Sequence, residues 1–100
     1  MKTKRIMSEN QLREENARYA GTGGISKRCA GASFQPAFFD YSTCTIHLSR
    51  FADGRIAPVH LLDGLPQALR AKGTLISGFE RNGFFYTRSA VARACEEWRI

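Results

Sequence analysis

Few side chains in this 100-residue chain are of a type that does chemistry: two histidines, three cysteines and nine carboxylates. His60 and Asp63 stand three apart around an Asp-Gly turn, with His47 and Asp53 earlier in the chain. A histidine beside a carboxylate is a general acid–base pair, and three such groups converging would hold a metal. Both uses require convergence in space. The Asp53-Gly54 and Asp63-Gly64 pairs are also accounted for by turn chemistry, in which aspartate accepts backbone N–H groups. His60, between Val59 and Leu61, reads as a half-buried histidine donating to a carbonyl. Cys44 and His47 would be nucleophile and base, but an odd offset along a strand sets them on opposite faces. Cys44 and Cys95 therefore read as small core residues, whereas Cys29, beside Lys27 and Arg28, is the one thiol placed to react. With no C-x-x-C pair and an odd cysteine count, neither structural zinc nor a disulfide framework is expected. The expectation is no catalytic residue, no metal and no cofactor; a small hydrolase using His60 and an aspartate is the enzymatic alternative.

Binding chemistry is better represented. Residues 1–28 carry seven basic groups against three acidic ones, and residues 29–100 carry eight against six, so most of the net +6 lies in an N-terminal arm. Lys2, Lys4, Arg5, Lys27 and Arg28 are placed to neutralise phosphates, and Arg50 and Arg55, around the Asp53-Gly54 turn, extend that strip. The same arm would serve equally as a solvated leader. Gly21-x-Gly23-Gly24, followed by Ser26, Lys27 and Arg28, could cradle a phosphate on backbone N–H groups. It lacks the G-K-[ST] spacing and no strand precedes it, so it reads as a flexible joint. Phe85, with Arg88 expected nearby, is an aromatic available to stack on a base or to anchor in a partner pocket, unless a second small core covers it.

The elements that position these groups are legible from periodicity and punctuation. Ser8 followed by Gln11 is a capping-box pattern, and the helix it starts has only Met7, Leu12 and Tyr19 as an apolar stripe. Such a helix is expected to be peripheral, mobile or ordered by a partner. Phe34–Phe39 and Thr43–Phe51 form a first hairpin, with Pro36 placing the first strand at an edge or marking its start. Alternation assigns Cys44, Ile46 and Leu48 to the core and Thr45, His47 and Ser49 to the other face. A short helix covers Leu65–Ala71. Asn82-Gly83 then closes a second hairpin that pairs Phe79 with Tyr86, Glu80 with Phe85 and Arg81 with Phe84. Phe79, Phe84 and Tyr86 share one face and Phe85 lies on the other. Thr87 caps a last helix with Val91, Ala94, Cys95 and Trp98 as its stripe. The result is an α+β fold: two antiparallel β-hairpins forming a small sheet, with the polar N-terminal helix and the C-terminal helix packed on it. Residues 1–24 are the arm and its glycine joint, and residues 25–100 are a single domain.

Composition supports that reading. One hundred residues with 43% hydrophobic and 24% charged side chains make one basic globular domain, too small for a two-domain enzyme and unlike disordered or collagenous chains. No run approaches the ~20 apolar residues of a membrane helix, and no apolar stretch follows the basic start, so a cytoplasmic protein without membrane contact is expected. The run Arg18-Tyr19-Ala20-Gly21-Thr22-Gly23-Gly24, then Phe34-x-Pro36-Ala37-Phe38, is similar to small proteins of bacterial plasmids, phages and integrated elements. So are Leu48–Arg55 and Ala57-Pro58-x-His60-Leu61-Leu62-Asp63-Gly64-Leu65-Pro66. The resemblance covers about half the chain, implies a setting in mobile DNA and carries no established activity. The functional expectation is a non-enzymatic protein that binds nucleic acid or a nucleoprotein complex. The alternative is a protein-directed inhibitor of a host or defence complex, similar in scale to anti-CRISPR or anti-restriction proteins. Pairing of two copies along Phe34–Phe39 would make a homodimer.

Overall fold

In a computed structural model, residues 8–27 and 33–98 are described, the side chains of 96–98 excepted. The elements are α1 (Glu9–Arg18), β1 (Gln35–Asp40), β2 (Thr45–Leu48), α2 (Gln67–Arg70), β3 (Leu75–Arg81), β4 (Phe84–Thr87) and α3 (Arg88–Trp98). Four strands make one antiparallel sheet in the order β2-β1-β3-β4. This is the α+β arrangement of two hairpins that the sequence implies. The two hairpins join through β1 and β3, from Gln35 opposite Glu80 to Asp40 opposite Leu75.

β1 is thus a central strand, and the edges are β2 and β4. The expected edge at Phe34–Phe39 is corrected, and with it the pairing of two copies along that strand, whereas Pro36 does stand near the strand's start. Pro36 is tolerated because its carbonyl accepts from Ser49 N–H at 2.9 Å, and its missing N–H lies on that same side, just outside the β1–β2 ladder that starts at Ala37. The second hairpin follows the expected register, with Asn82 and Gly83 both at positive φ.

Alternation divides the sheet into two unlike faces. Phe38, Leu75 and Phe79 point to the side where the helices lie. There Phe38 and Leu75 meet Leu12, Leu62 and Leu65, while Phe79 meets Phe34 and Val91, with Tyr86 and Cys95 at the margin. The opposite side carries Ala37, Phe39, Ile46, Leu48, Ile76, Gly78, Glu80 and Phe85.

The first hairpin's faces are the reverse of expectation. Register sets His47 beside Phe38, so His47 and Ser49 lie on the helix side and Ile46 and Leu48 on the other. Ser49 is buried there because its hydroxyl donates to the Val59 carbonyl (2.8 Å) and accepts from Leu61 N–H (2.7 Å). Cys44 is not a core residue: it sits exposed at positive φ (55°) and closes the loop before β2 begins at Thr45.

α1 is docked rather than loose. Ser8 Oγ accepts from Gln11 N–H at 3.2 Å, Leu12 enters the core, and Tyr19 Oη bonds Ser89 Oγ at 2.6 Å. Only half the capping box forms, since Gln11 turns to Glu15 (3.4 Å). Gly23 and Gly24 are likewise no flexible joint. They lie so close to α3 that a Cβ on Gly23 would overlap Cys95, and one on Gly24 the Arg88 carbonyl. α3 starts as expected, with Thr87 Oγ1 accepting from Ala90 N–H at 3.1 Å. No described helix is long and apolar enough to cross a membrane.

Candidate functional site

Among the described residues no helix covers the other side of the sheet, and that side carries an aromatic pair. Phe39 on β1 and Phe85 on β4 flank Gly78 of β3, and their rings stack with centroids 5.1 Å apart and planes 22° from parallel. Glycine at 78 permits this, because a Cβ there would collide with the Phe85 ring and the Tyr86 carbonyl. Ile46 and Leu48 are half-buried beside Phe39, and Ile76 is 39% exposed. Glu80 is the one ionisable side chain that the described strands place on this face. The surface is apolar and aromatic at its centre.

Phe85 therefore stands where the hairpin register predicts, opposite in face to Phe79 and Tyr86. Its partner Phe39 escaped the sequence reading, although a signal existed. Two adjacent strand residues face opposite ways, so burial of Phe38 sends Phe39 to the other side.

Arg88 is corrected. It does not flank Phe85, because it follows Thr87 into α3 and turns to the helix side, where it is 2% exposed. Its Nε donates to Ser77 Oγ (3.1 Å) and its Nη2 donates to His60 Nδ1 (3.2 Å). Ser77 in turn donates to Glu15, and Nη1 has no hydrogen-bond partner among the described residues. Burial lowers the Arg88 pKa, and the Glu15 carboxylate opposes that shift.

His60 is fully inside, not half-buried, at 3% exposure. Its ring lies edge-on to Phe38 and Phe79, and Nε2 donates to the Gly78 carbonyl at 2.6 Å. Nδ1 is then the acceptor, receiving Ser26 Oγ–H at 2.8 Å as well as Arg88. Burial first, and the Arg88 charge second, push its pKa down to about 3, so the ring is neutral near pH 7. Asp63 is exposed, and none of the hydrogen bonds of His60 reaches it. His47 bonds Thr45, two residues away along β2, instead (3.0 Å). No three His, Cys, Asp or Glu side chains converge as metal ligands among the described residues.

Of the basic residues, Arg50 and Arg55 do meet at the Asp53-Gly54 turn. Arg50 Nη1 donates to the Gly54 carbonyl (2.7 Å), and Arg55 Nε pairs with Asp53 (2.7 Å) while covering the Phe51 ring at 5.1 Å. Asp53 offsets half the charge of this corner. Lys27 is exposed. Lys2, Lys4, Arg5, Arg28 and Cys29 lie outside the described residues.

Comparison with known proteins finds no matching family model, no similar curated protein and no similar solved structure.

Proposed function

We propose that this is a non-enzymatic binding module that takes single-stranded nucleic acid, free or within a nucleoprotein complex, on the helix-free face of its sheet. The observation that carries the reading is the Phe39–Phe85 stack on that face. A paired aromatic platform suits unpaired bases of any sequence, since every base offers a π-face. Phosphate neutralisation falls to Arg50 and Lys27 and to the arm with Lys2, Lys4, Arg5 and Arg28. The setting that fits is the cytoplasm of a bacterium, with the gene on a mobile element.

The test is titration of a labelled single-stranded oligonucleotide with wild-type protein and with Phe85→Ala and Phe39→Ala. Each stacked base is worth about 1–3 kcal/mol, so binding is expected to weaken roughly 5- to 150-fold per ring, without loss of secondary structure. Equal affinity in all three proteins would overturn the assignment of this face.

A second reading is a protein-directed inhibitor of a host or defence complex, favoured by the apolar flank of Ile46, Leu48 and Ile76. It predicts one stable complex from host extract that survives nuclease treatment, and capture that vanishes with nuclease contradicts it.

A further inference from the structure

Arg88 presents an electrostatic problem that the chain itself solves only in part. Its guanidinium is buried, yet its direct partners are two neutral groups, the Ser77 hydroxyl and the His60 ring. No carboxylate lies within ion-pair distance of it among the described residues. Glu15 acts on it at longer range and through Ser77, and Nη1 makes no hydrogen bond among the described residues. A buried cation without a direct counter-ion is costly, and an anion at the site would relieve that cost.

A place for such an anion exists. Where the chain leaves β4 for α3, β3 runs on past its partner, and α1 closes over the gap. The resulting notch, about 170 Å³, is walled by Glu15, Arg18, Tyr19, Ser77, Thr87 and Arg88, with Ile76 on one side. Two arginines face one carboxylate, and the Thr87 hydroxyl, which accepts from Ala90 N–H, keeps its proton to donate. The start of α3, an 11-residue helix, adds first-turn N–H groups other than Ala90, which Thr87 Oγ1 already caps.

We infer that this notch binds one phosphate group, held by Arg18 and the start of α3 and countering Arg88. Its source, resting on the reading above, is a nucleic-acid backbone. Thr87 lies two residues beyond Phe85 on the same face of β4, roughly 7 Å along the strand, so a nucleotide whose base stacks on Phe85 can set its phosphate in the notch.

The experiment is an NMR titration of the full chain with inorganic phosphate, against sodium chloride at equal ionic strength, following the Arg88 Nε–H and the Ser89 amide. Phosphate alone is expected to shift both signals with millimolar affinity. Arg18→Gln weakens that affinity about fivefold and Glu15→Gln strengthens it by a similar factor, the size expected for single charges at a partly exposed site. Both variants leave Arg88 in place, so folding is retained. Identical responses to phosphate and chloride, or charge variants without effect, overturn the site. A second arm adds a single-stranded oligonucleotide to wild type and Phe85→Ala. Phosphate binding without any oligonucleotide response keeps the notch and removes the nucleic-acid source; oligonucleotide binding that shifts Phe85 but neither Arg88 nor Ser89 removes the notch and keeps the platform.

Discussion

His60 carries a pH dependence of stability that follows from its surroundings. Its folded pKa near 3 lies below the 6.5 of an exposed histidine, so the unfolded chain takes up a proton that the folded chain refuses. Stability is therefore full above about pH 6.5 and is lost as pH falls towards 3. Between pH 6.5 and 5 the loss expected from this one group is roughly 2 kcal/mol, read as a lower urea midpoint. An unchanged midpoint would mean that the ring is not buried as neutral imidazole. Asp40 acts in the same direction at lower pH. Lys72 (2.5 Å), Ser42 and Thr74 hold its carboxyl well below the usual range, so their contribution weakens once pH drops below about 4. The sequence revealed His60 as a carbonyl donor but not its network, because Ser26, Ser77, Glu15 and Arg88 come from four distant segments. No local pattern in a single chain records such a meeting.

Among the elements, the second hairpin was legible in detail because Asn-Gly fixes its register locally. The first departs from expectation in two respects. Alternation states which residues share a face, but not which face the helices cover. Both sides of β1 and β2 carry apolar groups, and the choice is made by Leu12, Leu62 and Leu65 converging on Phe38. The glycines at 23 and 24 were ambiguous for a related reason: the same residue serves a loose joint and a tight helix contact. Gly78 offers an element-scale test. Gly78→Ala is expected to destabilise the fold by about 1–3 kcal/mol and to unstack Phe85 from Phe39, visible as loss of ring-current shifts between them. Wild-type stability with the stack intact would refute the close approach. Leu12→Ala tests whether α1 belongs to the core, with an expected cost of about 2–5 kcal/mol in denaturant unfolding. A cost below about 0.5 kcal/mol, typical of surface sites, would return α1 to the status of a loose arm.

For the molecule as a whole, the two sides of the sheet divide the labour. One side holds the helices, the core and the buried His60–Arg88 network. The other offers a stacked aromatic pair among aliphatic neighbours and one carboxylate, with Arg50 beyond the end of β2. Net charge alone would have pointed to a diffuse basic surface. Under the proposed function, the division separates base stacking on the sheet from phosphate contacts at its margins. The most direct measurement is amide and side-chain NMR mapping with a short single-stranded oligonucleotide. The expected result is a contiguous set of shifts at Phe39, Ile46, Ile76, Phe85 and Thr87, with little change at Val91 or Leu62. Shifts confined to the outer surfaces of α1 and α3, or none at all at low salt, would contradict binding on the open face.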